Sequence, residues 1–306
     1  MTTPLVFTFI LLAAAAAAGA ADNPAEQSGA KPAAAEQGKA APAHVTARQI
    51  VERIKQNVAC PWAATTVDTF KAGNPDAEVT GVAVTFMASL DVLQQAAAAG
   101  RNFVITHEPT FYNHWDKTAG LEGDKVLAEK QAFIEKHGMV VWRFHDHWHA
   151  RKPDGIIEGV ARKLGWEKCL RPGEATVFDV PETTLQALAG ELKTKLHASV
   201  IRVVGKPPMK VSKVAMCPGA GGSAGQIKML QRDDVDVVLA GETPEWETVE
   251  YVRDAAAAGK PKALVLLGHA NSEEAGMEYC AEWLKGFVTE VPIQFIAAGD
   301  PFWSPK

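Results

Sequence analysis

KVLAEKQAFIEKHGMVVWRFHDHWHA, residues 125–150, decides the fold class. The first half reads as a helix stopped by Gly138, the kind of residue that ends helices. MVVWRF follows at once, an apolar run of strand length, and then a polar cluster carrying His145, Asp146, His147 and His149. A helix feeding directly into a buried strand is half of a βαβ unit. The alternation continues on both sides. Upstream stand the strand VTGVAVTF, the helix SLDVLQQAAAAG ending at Gly100, and the strand NFVIT. Downstream come the helix GIIEGVARKLG, the strand ATVFDV, the helix TLQALAGELKTKL and the strand SVIRVVG. A last block alternates KVAMC, a helix near QIKMLQ, DVVLA, a helix over EWETVEYVRDAAAAG, KALVLLG, a helix near EEAGMEYCAEWLKG, and PIQFIAA. Before all of these, Thr46 and Gln49 have capping-box spacing, and Ile50, Ile54 and Val58 recur at helical spacing. The pattern predicts an α/β fold with a mainly parallel sheet and flanking helices.

In such sheets ligands gather at the carboxyl ends of the strands, and the polar residues fall there. His107 and Glu108 follow NFVIT, and the His145–His149 cluster follows MVVWRF. His269 follows KALVLLG with Glu273 four residues on, and Glu242 follows DVVLA. In one parallel sheet these would converge on one edge. Imidazole nitrogen and carboxylate oxygen suit Zn, Mn, Fe, Co or Ni, and two such ions sharing a water activate it for hydrolysis. Any one strand-end histidine reads more readily as a surface residue, or as one behind the ligands, than as a ligand; their recurrence at equivalent positions points to a shared metal site. The turn PGAGGSAG (218–225) is either an anion cradle or a tight strand-to-helix turn, and it lacks the Lys of a P-loop. Glu242 reads as a residue supporting a ligand from behind, as a general base, or as an acid favoured at a helix N-terminus. Trp115 and Trp148 either line a pocket or pack the sheet edge. No Ser-His-Asp or Cys-His arrangement competes.

The 306 residues hold 47% apolar and 22% charged residues with a net charge of −5, an ordinary globular balance without the basic patch of a nucleic-acid binder. Residues 1–20 read as a signal peptide. LVFTFILLAAAAAAG is too short for a comfortable membrane span, and AGA precedes ADNPAEQ in the manner of a cleavage site, although no Lys or Arg stands ahead of it. The mature chain is expected to start near Ala21 or Asp22, exported to the periplasm or secreted, without stable membrane insertion. The alternative is an uncleaved anchor. Residues 21–44, rich in Ala, Pro, Gln and Lys, read as a disordered linker. The folded body spans 45–306, with 151–212 a candidate inserted or second lobe. Cys60, Cys169, Cys217 and Cys280 match no zinc or redox spacing and read as small buried hydrophobes.

FVITHEPTF, GMVVWRFHDHWHA with DGIIEGVARKLGW, KVAMCPGAGGS, DVDVVLAGE and LGHANSEEAG stand in this order. Together they resemble the Nif-three-like family of dinuclear-metal-centre hexameric proteins, over essentially the whole body from Val45. The resemblance implies an α/β fold, a homohexamer, two divalent transition-metal ions, and the metal ligands His107, Glu108, His149, His269 and Glu273. Glu108 stands where the family usually has a second histidine, and His149 where it usually has an aspartate. His145 matches a further family histidine, implied to lie near the site. Some family members are assigned as GTP cyclohydrolases, though an exported chain argues against GTP. The leading expectation is a hydrolase using a metal-bound hydroxide on a small polar substrate, with Glu242, His145 and Asp146 moving protons. The alternatives are a non-catalytic periplasmic metal-binding or storage protein and a metal-stabilised oligomeric scaffold.

Overall fold

The computed structural model describes residues 44–305; the leader and all of the linker but its last residue lie outside the described residues. Helix α1 (Ala47–Asn57) opens the body, closed at its start by the expected reciprocal Thr46–Gln49 capping box. There follow β1 (Phe70–Ala72), β2 (Val82–Thr85), α2 (Leu90–Ala98), β3 (Phe103–Thr106), α3 (Lys125–Lys136), β4 (Val140–Arg143), α4 (Asp146–Ala150) and α5 (Gly155–Leu164). The second half runs β5 (Val177–Thr184), α6 (Leu185–Lys195), β6 (Arg202–Val204), β7 (Lys210–Cys217), α7 (Ser223–Leu230) and β8 (Val237–Ala240). It ends with α8 (Glu250–Ala257), β9 (Ala263–Leu266), α9 (His269–Leu284) and β10 (Ile293–Phe295). A π-helical turn, Glu245–Val249, leads into α8.

The strands form two mixed sheets. The first has the order β1-β4-β3-β2-β10 and the second β5-β7-β8-β9-β6. In the first, β4, β3, β2 and β10 are parallel and β1 is an antiparallel edge. In the second, β7, β8 and β9 are parallel between antiparallel edges β5 and β6. The sequence expectation of convergence on one edge of one sheet is thereby corrected: His107 and His145–His149 follow strands of the first sheet, while Glu242 and His269 follow strands of the second. Strand-end position is readable along the chain, but which strands pair depends on contacts distant in sequence. The stretch 151–212 supplies α5, α6 and both edge strands of the second sheet. Strand β1 escaped the sequence reading because three half-buried residues show no alternation.

The central strands are buried along their whole length, as expected for parallel strands covered on both faces. Successive side chains point to opposite faces, and the core follows. Val82, Val84, Phe103 and Ile105 of the first sheet, with Val214, Val237 and Val265 of the second, join one large core with residues of α1, α5, α6 and α9. The alternate residues Ala83, Val104 and Val141 pack with α2 and α3. Ala215, Val238 and Leu264 pack with residues of α7 and α8. Helices α5 and α9 approach very closely: a Cβ at Gly159 would lie 2.5 Å from the Gly276 Cα, so only glycine fits. Trp148 is fully buried in this core with Phe144, Tyr279 and Trp283, which settles its role as packing. Trp115 is exposed. All four cysteines are free. Only Cys280 is fully buried; Cys60, Cys169 and Cys217 are partly exposed, which corrects the expectation for those three. No helix among the described residues is long and apolar enough to cross a membrane.

Candidate metal centre

Each strand end delivers a side chain because the strand stops where its apolar run stops. His107 and Glu108 continue β3, their N–H groups still donating to the Thr85 and Phe86 carbonyls. His145 immediately precedes α4 and His149 lies on it, a single turn that cannot hold itself without outside partners. Asp68 supplies them. Its buried carboxylate accepts the backbone N–H groups of His145, Asp146 and His147 at 2.7–2.9 Å and pairs with His147 Nδ1 at 2.6 Å. The His147 Nε2 accepts from Ala63 N–H, so this histidine is fully satisfied and structural. His269 and Glu273 lie one turn apart on α9 and therefore share a face.

These side chains meet. The His107, His145 and His149 rings lie 4.6–5.0 Å apart, centre to centre. Glu273 Oε2 is 3.4 Å from His107 Nε2 and 3.2 Å from His269 Nε2, while its Oε1 is 3.9 Å from His149 Nε2. Glu108 Oε1 is 3.5 Å from both His145 Nε2 and His269 Nε2. Two groups of ligand-capable atoms result, His107–His145–His149 and His107–Glu108–Glu273.

The four histidines share one arrangement: each has its Nδ1 tied down and its Nε2 turned inward. Nδ1 of His107 bonds the Phe144 carbonyl at 3.0 Å, and that of His145 bonds Asp146 at 2.9 Å. Nδ1 of His149 bonds Asp154 at 2.9 Å, and that of His269 bonds Glu242 at 2.7 Å. This is the pattern by which metal-binding histidines are oriented and made more basic. Asp146 and Glu242, expected from sequence as proton carriers, each hold a histidine by its far nitrogen. Asp154 does the same and was missed by sequence reasoning, although its place as N-cap of α5, five residues after His149, was a visible signal.

The donor set fits a metal. Ligand atoms about 2.1 Å from an ion lie roughly 3.0–3.5 Å from one another, close to the separations found. His107 Nε2 and Glu273 Oε2 are buried with no hydrogen-bond partner among the described residues, a costly state for polar atoms unless something binds them. The cradle is tight, since a Cβ on Gly219 would sit 2.2 Å from Glu273 Oε1 and 3.1 Å from His269 Nε2. Burial opposes ionisation of Glu273, but His107 and His269 beside it hold its carboxyl well below the usual range. Burial, with His107 and His149 close by, pushes the His145 imidazole down to about 4, which keeps it in the neutral form that binds metals. His107, Glu108 and Glu273 form a buried floor, whereas the side chains of His145, His149 and His269 remain 22–29% exposed, so the centre is reachable from one side.

The model of the Duf34/NIF3 (NGG1p interacting factor 3) family matches residues 45–301. A protein named GTP cyclohydrolase 1 type 2 homolog from Clostridium acetobutylicum is 23% identical over 193 residues, covering 60% of this chain and 68% of that one. A protein of the same name from Chlamydia pneumoniae is 24% identical over 247 residues, covering 76% and 89%. The crystal structure of a Bacillus cereus protein related to NIF3 superposes with a TM-score of 0.68 at 16% identity, over 86% of this chain and 99% of that one, and shares the fold.

Proposed function

This chain belongs to the Duf34/NIF3 family, and from that premise we propose that it is a metal-dependent hydrolase of small polar substrates with a centre of two divalent transition-metal ions. One observation carries the reading: four histidines present Nε2 inward, each anchored at Nδ1, around two carboxylates. His107, His145, His149, His269, Glu108 and Glu273 would hold the ions. When bound, such ions supply Lewis acidity and lower the pKa of water to near neutrality.

The chain's own groups do the rest. Asp146, Asp154 and Glu242 hold a proton on the Nδ1 of their histidines, so that Nε2 is the nitrogen left to face an ion once any proton on it is displaced. Phe86, with its ring 5.5 Å from that of His269, is a buried apolar wall against bulk water. A scaffold role calls for closed coordination; the partly exposed His145, His149 and His269 favour an open position instead. The name carried by the two relatives directs attention to GTP first. The apolar leader, read as an export signal, favours a small polar substrate found outside the cytoplasm. A homo-oligomer is part of the proposal.

Metal content of the purified chain by elemental analysis comes first, then a panel of GTP, other nucleotides, phosphoesters and cyclic amides. Turnover should vanish on chelation, return with metal, and be lost in Glu273→Gln. Turnover indifferent to chelation, or a chain that takes up no metal, overturns the proposal.

A further inference from the structure

Arg143, the last residue of β4, is fully buried directly behind the centre. A buried guanidinium is costly unless its donors are met, and two of these partners, His107 and Glu108, belong to the site. Nε donates to the carbonyl of His107 at 2.9 Å. Nη1 donates to the carbonyl of His114 at 2.5 Å. Nη2 reaches Glu108 Oε2 at 3.3 Å. Asp116 Oδ2 lies 3.8 Å from Nη1 and is shared with Lys71, whose ammonium is nearer at 3.1 Å.

The consequence is an asymmetry between the two carboxylates. Glu108 has one oxygen held by Arg143, and only Oε1 faces His145 and His269. Among the described residues Glu273 meets no guanidinium or ammonium, and its two oxygens face different histidines. We infer that Arg143 is a positioning residue that holds Glu108 so that a single carboxylate oxygen, Oε1, is presented to the centre. The planar fork is what the task needs: one rigid group fixes the His107 backbone and the Glu108 side chain together. Lysine offers the charge but only a point donor on a flexible stem.

The inference rests on the metal-centre reading, and the test separates the two. Chelated wild type, Arg143→Lys and Glu108→Gln are titrated with cobalt(II), and bound metal per chain and the visible cobalt spectrum are recorded. Arg143→Lys should bind at least one ion about 10–100-fold more weakly, the range for loss of a group that orients a ligand. Its spectrum should change in the same way as that of Glu108→Gln. Arg143→Met, which removes the charge too, should do no better than lysine. Should Arg143→Met fail to fold, Arg143→Lys and Glu108→Gln carry the comparison. Arg143→Lys with wild-type affinity and an unchanged spectrum, beside a wild type that loads normally, overturns the inference alone. A wild type that takes up no cobalt overturns the metal-centre reading and this inference with it.

Discussion

Gly219→Ala tests whether the loop after β7 shapes the centre. Gly219 has φ +61°, and a Cβ built there would stand 2.2 Å from Glu273 Oε1, 3.0 Å from its Cδ and 3.1 Å from His269 Nε2. Two costs follow. An alanine in the left-handed region costs about 1–2 kcal/mol of stability. To restore ordinary contact, the Glu273 carboxylate must also retreat by about an ångström, several times the ±0.2 Å within which metal–ligand distances are held. Affinity for at least one ion should therefore fall by 10–100-fold or more, since even loss of an orienting partner has an effect of about that size. Gly165→Ala is the control. Gly165 caps α5 at φ 76° with nothing within 4 Å of the new Cβ, so it carries the backbone strain without the collision. Chelator competition with zinc or cobalt gives the affinities, and thermal melting of the metal-free proteins gives the stabilities. Both variants should melt lower, and only Gly219→Ala should lose metal. Metal affinity equal to wild type in Gly219→Ala would refute the contact between this loop and the ligands.

Glu242→Ala should weaken metal binding about 10–100-fold by freeing His269 Nδ1; unchanged metal affinity with lost turnover would instead make Glu242 a proton carrier. Glu108→His and His149→Asp should each lower metal per chain, and the double variant should retain more than the two single losses imply, because groups sharing one cluster couple; strict additivity by elemental analysis would break the pairing. Acidity should matter in a defined direction. In the metal-free protein burial opposes charge on His269, but Glu108 and Glu273 outweigh it and hold its pKa far above the ordinary 6.5. The resulting stabilisation is fully present below pH 6.5 and fades as pH rises towards the folded-state value. Glu273, depressed from 4.5, contributes above pH 4.5 and loses that contribution as pH falls through its folded value. Metal must displace the His269 proton, so the gap between loaded and metal-free melting temperatures should widen from pH 6.5 to 8.5. A constant or narrowing gap would contradict the assignment of His269 as a ligand.

Much of this protein was legible in one dimension. Mostly apolar four-residue segments ending at Thr106, Arg143, Ala240 and Leu266 announce buried strands, and the helices between them announce α/β. Because a strand ends where its apolar run ends, His107, His145, Glu242 and His269 could be placed at strand termini without a structure. The i, i+4 spacing of His269 and Glu273 put both on one helix face for the same local reason. The tertiary structure decided what local pattern cannot carry. It divided the strands between two sheets and made the carboxyl ends of both face one centre, since strand pairing depends on contacts far apart in sequence. Only there does Asp68 appear as the group that holds α4, reaching it from 77 residues upstream. Likewise Asp146 and Glu242 turn out to orient histidines, and Arg143, readable in sequence only as a charge in an apolar strand, is seen to grip Glu108. Hydrogen bonds between side chains are matters of a few tenths of an ångström in three dimensions. A sequence specifies which groups are available to make them, while packing selects the partners.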